Sequence, residues 1–229
     1  MTEVVDKMAA LDPAVAQLAP RLRKGAAAMG IDLSEQQQLQ LLQYLGLFIK
    51  WNRAYNLSAV RDPVEMVSRH LLDSLSVVPH VDAGLAPDAR MIDVGSGGGL
   101  PGIPLAIMFP QRQFTLLDSN GKKTRFLFQV KTALGLDNLT VEHRRVESFQ
   151  PPTLFDGVIS RAFASLEDMV VGCKHLLSPQ AKFWAMKGIY PQDELSALEK
   201  HYKVIDSFDL RVPDCDGQRH LLVLTADGA

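Results

Sequence analysis

The segment Ile92-Asp93-Val94-Gly95-Ser96-Gly97-Gly98-Gly99-Leu100-Pro101-Gly102 constrains this chain more than any other. An apolar run enters it and an apolar helical pattern leaves it, so it reads as the turn between a strand and a helix. Glycines there let backbone amides approach a ligand closely, because no Cβ intervenes. Counted from Gly95 and Gly97, the dinucleotide fingerprint G-x-G-x-x-G fails, since the sixth position is Leu100. What remains is acidic-x-Gly-x-Gly-x-Gly. A second acid, Asp118, ends the next apolar run 23 residues after Gly95, where a carboxylate can accept from a pair of ribose hydroxyls. A glycine-rich loop alone is often a plain turn. The strand context and the two acids point it toward a nucleoside-type cofactor.

The flanking patterns set the fold. Upstream, three helical stretches are expected. Asp12-Pro13 opens the first, with Leu18, Leu22, Ala26 and Met29 at helical spacing before Gly30. Ser34 and Gln37 form a capping box for the second, and Asp62-Pro63 starts a third that runs to Pro79. Downstream, short apolar strands at 91–95, 114–118, 139–142, 155–160 and 183–186 alternate with helices at 101–109, 122–134 and 166–177. That alternation implies right-handed crossovers and a parallel sheet. Segments 202–210 and 220–225, joined through Asp214-Cys215-Asp216-Gly217, read as a hairpin that adds an antiparallel edge. The expected fold is therefore α/β, with a mostly parallel seven-stranded sheet, an antiparallel C-terminal edge hairpin and an N-terminal helical layer. Residues 1–85 would form that layer, and 86–229 a Rossmann-like domain.

Composition narrows the function. With 47% hydrophobic and 22% charged residues, disorder and a pure coiled coil are excluded. A formal charge of −2 gives no global basic field, so an anionic partner must be met by a local patch. Residues 111–165 carry eight Lys or Arg against five acids, whereas 183–229 carry five against eight. Two cysteines, Cys173 and Cys215, cannot build a disulfide framework or a structural zinc site, and no metal is expected. Glu3, Asp6 and Asp12 break up the N-terminus where a secretory signal needs an apolar stretch. The uncharged run 94–111 holds five glycines and three prolines, which argues against a membrane span. A reduced, cytoplasmic setting without a membrane is the expectation.

The glycine spacing resembles the first motif of class I methyltransferases that use S-adenosylmethionine. Acceptor chemistry then bears on the segment after the fourth strand, Ser160-Arg161-Ala162-Phe163-Ala164. Enzymes that methylate exocyclic amines place an Asn/Asp/Ser-Pro-Pro-aromatic motif there, and Pro151-Pro152 lies at the wrong end of the strand. Carbon-5 methylation of pyrimidines needs an activated thiolate. Cys173 falls in a helical pattern, however, and Cys215 in an acidic turn. A ring nitrogen such as guanine N7 needs neither device. It carries a lone pair and no proton, so catalysis reduces to positioning and electrostatics, with no general base expected.

Further strings complete the picture: Trp51-Asn52-Arg53-Ala54-Tyr55-Asn56-Leu57, Arg61-Asp62-Pro63, Arg69-His70-Leu71-Leu72-Asp73-Ser74, Leu100-Pro101-Gly102-Ile103-Pro104, Leu116-Leu117-Asp118-Ser119, Lys122-Lys123, Arg125-Phe126-Leu127 and Met186-Lys187-Gly188. With these, the chain resembles the RsmG (glucose-inhibited division protein B) family of bacterial 16S ribosomal RNA guanine-N7 methyltransferases. The resemblance implies cytoplasmic methylation, from S-adenosylmethionine, of one guanine in the decoding-centre (530-region) loop. The partner would be 16S rRNA, free or in the 30S subunit, and the protein a monomer. The cofactor contacts it implies are Asp93, Gly95, Gly97, Gly99, Leu100, Asp118, Ser119, Val146, Glu147 and Arg161.

Positioning and electrostatic roles in catalysis would fall to Arg125, Arg161 and Lys187. RNA contacts would fall to Arg53, Arg69, His70, Lys122, Lys123 and Arg125, with Trp51 and Tyr55 as stacking candidates. Arg161 has two readings, a structural partner of Asp93 or Asp118, or a functional group at the carboxyl end of a parallel strand. Lys122, Lys123 and Arg125 could equally form a solvated helix face. Two other functions stay open: a nucleoside-sensing module without catalysis, and a methyltransferase acting on small molecules or proteins.

Overall fold

The computed structural model describes residues 2–161, 163–198 and 202–226. Ala162, and the outermost residues of the division at 1–85 and 86–229, lie outside them. Ahead of the sheet come α1 (Thr2–Ala9), α2 (Pro13–Ala16), α3 (Ala19–Ala28) and α4 (Glu35–Tyr55). They are followed by α5 (Pro63–Met66), a π-helical turn (Val67–Leu72), α6 (Asp73–Leu75) and α7 (Val78–Gly84). The strands are β1 (Arg90–Val94), β2 (Gln113–Asp118), β3 (Leu139–His143), β4 (Phe155–Ser160), β5 (Leu177–Lys187), β6 (Tyr202–Asp209) and β7 (His220–Ala226). Between them lie α8 (Gly102–Met108), α9 (Gly121–Leu134), α10 (Leu166–Cys173) and α11 (Gln192–Ala197).

The seven strands form one sheet in the order β3-β2-β1-β4-β5-β7-β6. The first five are parallel, and β7 runs antiparallel to both β5 and β6. The order reverses between β1 and β4, and open α/β sheets bind ligands outside the strand ends at such a switch point.

Alternate residues of the central strands feed two cores. Met91 and Leu116 join Leu22, Leu42, Leu45 and Phe48 of the helical layer on one face. Ile92, Leu117 and Val158 join Leu166 and Met169 of α10 on the other. Helices before β1 thus close the same core as α8 and α9, and a fully buried leucine there contributes about 2 kcal/mol.

Local signals explain most boundaries. Ser34 Oγ accepts from Gln37 N at 3.2 Å, and the Gln37 side chain accepts from Ser34 N at 3.0 Å. Asp62 Oδ1 accepts from Val64 N at 3.0 Å. Three segments differ from expectation. The first helix breaks into α2 and α3, because Pro20 has no N–H to donate back to Ala16. The third carries a π turn where a regular helix was expected. The helix expected over 166–177 stops at Cys173, and Leu177 already begins β5. The leucines at 176 and 177 suit either period. α1, α11 and a 3₁₀ turn at Val146–Ser148 are too short for periodicity to reveal.

Candidate active site

The glycine loop is shaped from both sides. Gly95, Gly97 and Gly99 adopt φ of 70°, 59° and 87°, a region where a side chain strains the backbone. On the sheet side, Leu117 O accepts from Gly95 N at 2.9 Å, and Asp118 Oδ2 accepts from Gly97 N at 2.8 Å. On the helical side, α4 presses against the loop. A Cβ at Gly98 would lie 2.4 Å from Phe48 Cε2. The Tyr44 hydroxyl donates to Gly98 O at 2.6 Å. Burial raises the Tyr44 phenol well above its usual range, which keeps it a donor.

The two acids divide the work. Asp93 is 1% exposed and accepts from Gly102 N at 2.9 Å through Oδ2, which ties β1 to the start of α8. Burial pushes its carboxyl up to about 7, against the Gly102 N–H and the Arg161 charge, which both lower it. Asp93 lines none of the clefts described below, so its carboxylate sits behind the loop. Asp118 does line a cleft. Its Oδ1 accepts from Asn120 N at 2.8 Å, and Lys123 Nζ lies 4.0 Å from Oδ2. A carboxylate offers about four lone-pair positions, so acceptor capacity remains after these two amides.

Three clefts follow the strand ends. The first, 320 Å³, is walled by Asp118, Ser119, Lys123, Val146, Glu147 and Phe163. The second, 190 Å³, lies over the glycine loop against Phe48, Leu57, His70, Leu100 and Arg161. The third, 270 Å³, is lined among others by Arg69, His70, Arg161, Met186, Gly188 and Arg219. Gly95 belongs to the first two, and His70 and Arg161 to the last two.

Arg161 pairs with neither Asp93 nor Asp118. Its Nη1 donates to Asp73 Oδ2 at 2.6 Å, and Arg219 Nε donates to Asp73 Oδ1 at 3.0 Å. Asp73 is 4% exposed and sits just after the π turn, so one buried carboxylate orients two arginines at the mouth of the cleft. Lys187, expected as an electrostatic catalyst, lines the third cleft and is paired there. Its ammonium lies 2.8 Å from Glu194 Oε2 and donates to Phe163 O and Ala164 O at 3.3 and 3.2 Å, latching the loop after β4. His70, expected on an RNA face, is a buried cleft wall. Burial lowers its pKa, so the ring is held neutral.

The remaining basic candidates divide between two places. Arg53, Lys122 and Arg125 lie exposed on α4 and α9, with the Lys122 ammonium 6.0 Å from the centre of the exposed Tyr55 ring. Trp51 donates to Gln129 Oε1 at 2.7 Å and packs on Phe126. Arg69 stands apart at the third cleft, 3.8 Å from Glu65. Cys173 is buried and its thiol is pushed up to about 12 by that burial. Sequence reasoning did not single out Tyr44, Asp73 or Arg219 as site residues. A phenol within the apolar stripe of α4 is the one signal available for Tyr44.

Among the described residues no group of His, Cys, Asp and Glu is placed to hold a metal, and no helix is long and apolar enough to cross a membrane. The residues present suit a nucleoside-sulfonium cofactor. The glycine loop offers close backbone approach, Asp118 a carboxylate acceptor, and Val146 and Phe163 apolar walls.

Residues 37–222 match the family model described as GidB, rRNA small subunit methyltransferase G. Among similar proteins, the ribosomal RNA small subunit methyltransferase G of Cellvibrio japonicus is 62% identical over 207 residues, covering 90% of this chain and 94% of that one. Its counterpart in Pseudomonas aeruginosa is 57% identical over 206 residues, covering 90% and 94%. Among solved structures, TrmN from Thermus thermophilus superposes with a TM-score of 0.56 at 16% identity, over 70% of this chain and 53% of its own. P. horikoshii TYW2, solved in complex with MeSAdo, gives 0.51 at 10%, over 66% and 61%. These two likenesses concern the fold.

Proposed function

This chain belongs to the rRNA small subunit methyltransferase G family and is an S-adenosylmethionine-dependent methyltransferase of the class I fold, and from that premise we propose that it methylates N7 of one guanine in the decoding-centre loop of 16S rRNA. The observation that carries the reading is the run of connected clefts along the strand ends, a nucleoside-sized one at Asp118 passing through the glycine loop to an arginine-lined one. Residues 1–85 serve here as a layer that shapes the site of 86–229.

When bound, S-adenosylmethionine would supply a sulfonium-activated methyl to the N7 lone pair. The chain's own work is to hold the parts in line. Gly95 and Gly97 present backbone, Asp118 accepts from the ribose hydroxyls, and Val146 and Phe163 enclose the adenine, whose edge Glu147 faces. Arg161 stands where the cofactor cleft meets the third cleft. No proton has to leave N7, so no general base is required. Alignment alone is worth up to about 7–11 kcal/mol of barrier.

A basic face of Arg53, Lys122 and Arg125 supplies sequence-independent phosphate contacts for the RNA. The test is transfer of tritiated methyl to 16S rRNA, free and in 30S subunits, from a strain lacking this protein, followed by mapping of the base. Label at a guanine N7 in that loop is expected. Label on another base or atom removes the assignment.

A further inference from the structure

The third cleft adjoins the cleft over the glycine loop, with which it shares His70 and Arg161. At 270 Å³ it is smaller than the roughly 300–1,000 Å³ of sites for drug-sized ligands, a size that suits a single base. His70 forms its inner wall. The residue is 7% exposed, its ring packs 5.2 Å from Phe48, and neither ring nitrogen makes a hydrogen bond. The Arg69 backbone beside it favours the charged ring, an effect that burial outweighs. A buried polar group without a partner costs about 1–3 kcal/mol, which a ligand atom at this wall would recover.

Gly188 also lines the cleft, and Ile189 and Tyr190 follow it in the chain. Ile189 is 79% exposed, and Tyr190 meets His220 edge-on at 5.4 Å. Exposed apolar residues beside an arginine-lined hollow are what unstacked bases pack on.

We propose that this cleft seats the acceptor nucleotide, an unstacked guanosine whose base enters between His70 and Arg161 while its phosphate meets Arg69 and its neighbouring bases rest on Ile189 and Tyr190. The assignment rests on the guanine-N7 reading and adds where the base goes. A purine in this cleft meets the cofactor side at His70 and Arg161, the two described residues that line both clefts. His70 and Arg161 hold the base edge beside N7, and neither moves a proton.

Gly188 gives a clean test, because a Cβ built there meets nothing within 4 Å. Gly188→Trp sets an indole at the cleft, and His70→Ala removes its inner wall. Three quantities are measured for each: the thermal midpoint, calorimetric affinity for S-adenosylhomocysteine, and tritiated-methyl transfer to undermethylated 16S rRNA and 30S subunits. With the acceptor displaced, Gly188→Trp is expected to lose about 100-fold in transfer while cofactor affinity and midpoint hold. His70→Ala is expected to lose transfer with cofactor affinity kept, which covers the case in which the tryptophan variant does not fold.

If both Gly188→Trp and His70→Ala transfer at the wild-type rate, the cleft assignment falls and the guanine-N7 reading stands. Loss of cofactor affinity in parallel with transfer also overturns the assignment, by making the cleft part of the cofactor seat. Wild-type protein that places no methyl on guanine N7 instead removes the underlying reading.

Discussion

The two sides of the catalytic groove are made of different material. The cofactor side is backbone: three glycines at positive φ, amides tied to Leu117 O and Asp118, and a carbonyl held by Tyr44. The side proposed for the acceptor is side-chain charge. Asp73 holds Arg161 and Arg219, and Lys187 is latched to Glu194. A backbone cradle has few rotamers to order when a ligand arrives. Charged side chains must be held in place by one another, so a single carboxylate comes to orient the residue just after β4 and the residue just before β7. Damage on the first side should therefore appear as lost affinity, and on the second as lost stability and turnover.

The largest effect tests the acceptor side. Asp73→Ala removes the shared acceptor of two arginines, and breaking a buried pair costs about 3–5 kcal/mol. The arginines are 28% and 24% exposed, so the low end, about 3 kcal/mol of unfolding free energy in urea, is expected together with slower methyl transfer. A loss below about 1 kcal/mol, the range of solvent-screened pairs, would erase the distinction between the two sides.

Next comes the cofactor side. Asp118→Ala should weaken S-adenosylhomocysteine binding by about 1.5–3 kcal/mol, the scale of hydrogen bonds to a charged group. Affinity left intact with turnover alone reduced would move Asp118 into the chemistry. The smallest effect falls where the sides touch. Tyr44→Phe deletes the bond to Gly98 O and should cost about 1 kcal/mol of cofactor affinity, read by calorimetry against an unchanged fold.

What the sequence disclosed follows the same division. The glycine loop and Asp118 were legible because their logic is local, with 23 residues from Gly95 to the acid and backbone angles that only glycine adopts freely. Helix starts at Ser34 and Asp62 were legible for the same reason. Arg161 stood out by its place at a strand end. Its partner lies 88 positions away, and Arg219 meets the same carboxylate across 146, spans over which residue patterns carry no pairing information. Lys187 read as a free cation because nothing in its string announces Glu194. The switch at Leu177 from helix to strand was hidden in an apolar run that serves both.

The contact of α4 with the glycine loop has a thermodynamic consequence. Phe48 leaves no room for a side chain at Gly98, and Tyr44 grips that residue's carbonyl, so helix and loop share one set of positions. Whatever free energy the cofactor gains by ordering the loop is then shared with the helix that braces it. Filling the cleft should slow hydrogen exchange along α4, and loosening α4 at a leucine far from the cleft should cost affinity by the same factor, because coupling between two sites is reciprocal. On this account the helices that precede the sheet act as a store of binding energy, and cofactor affinity can be adjusted by residues that never touch it.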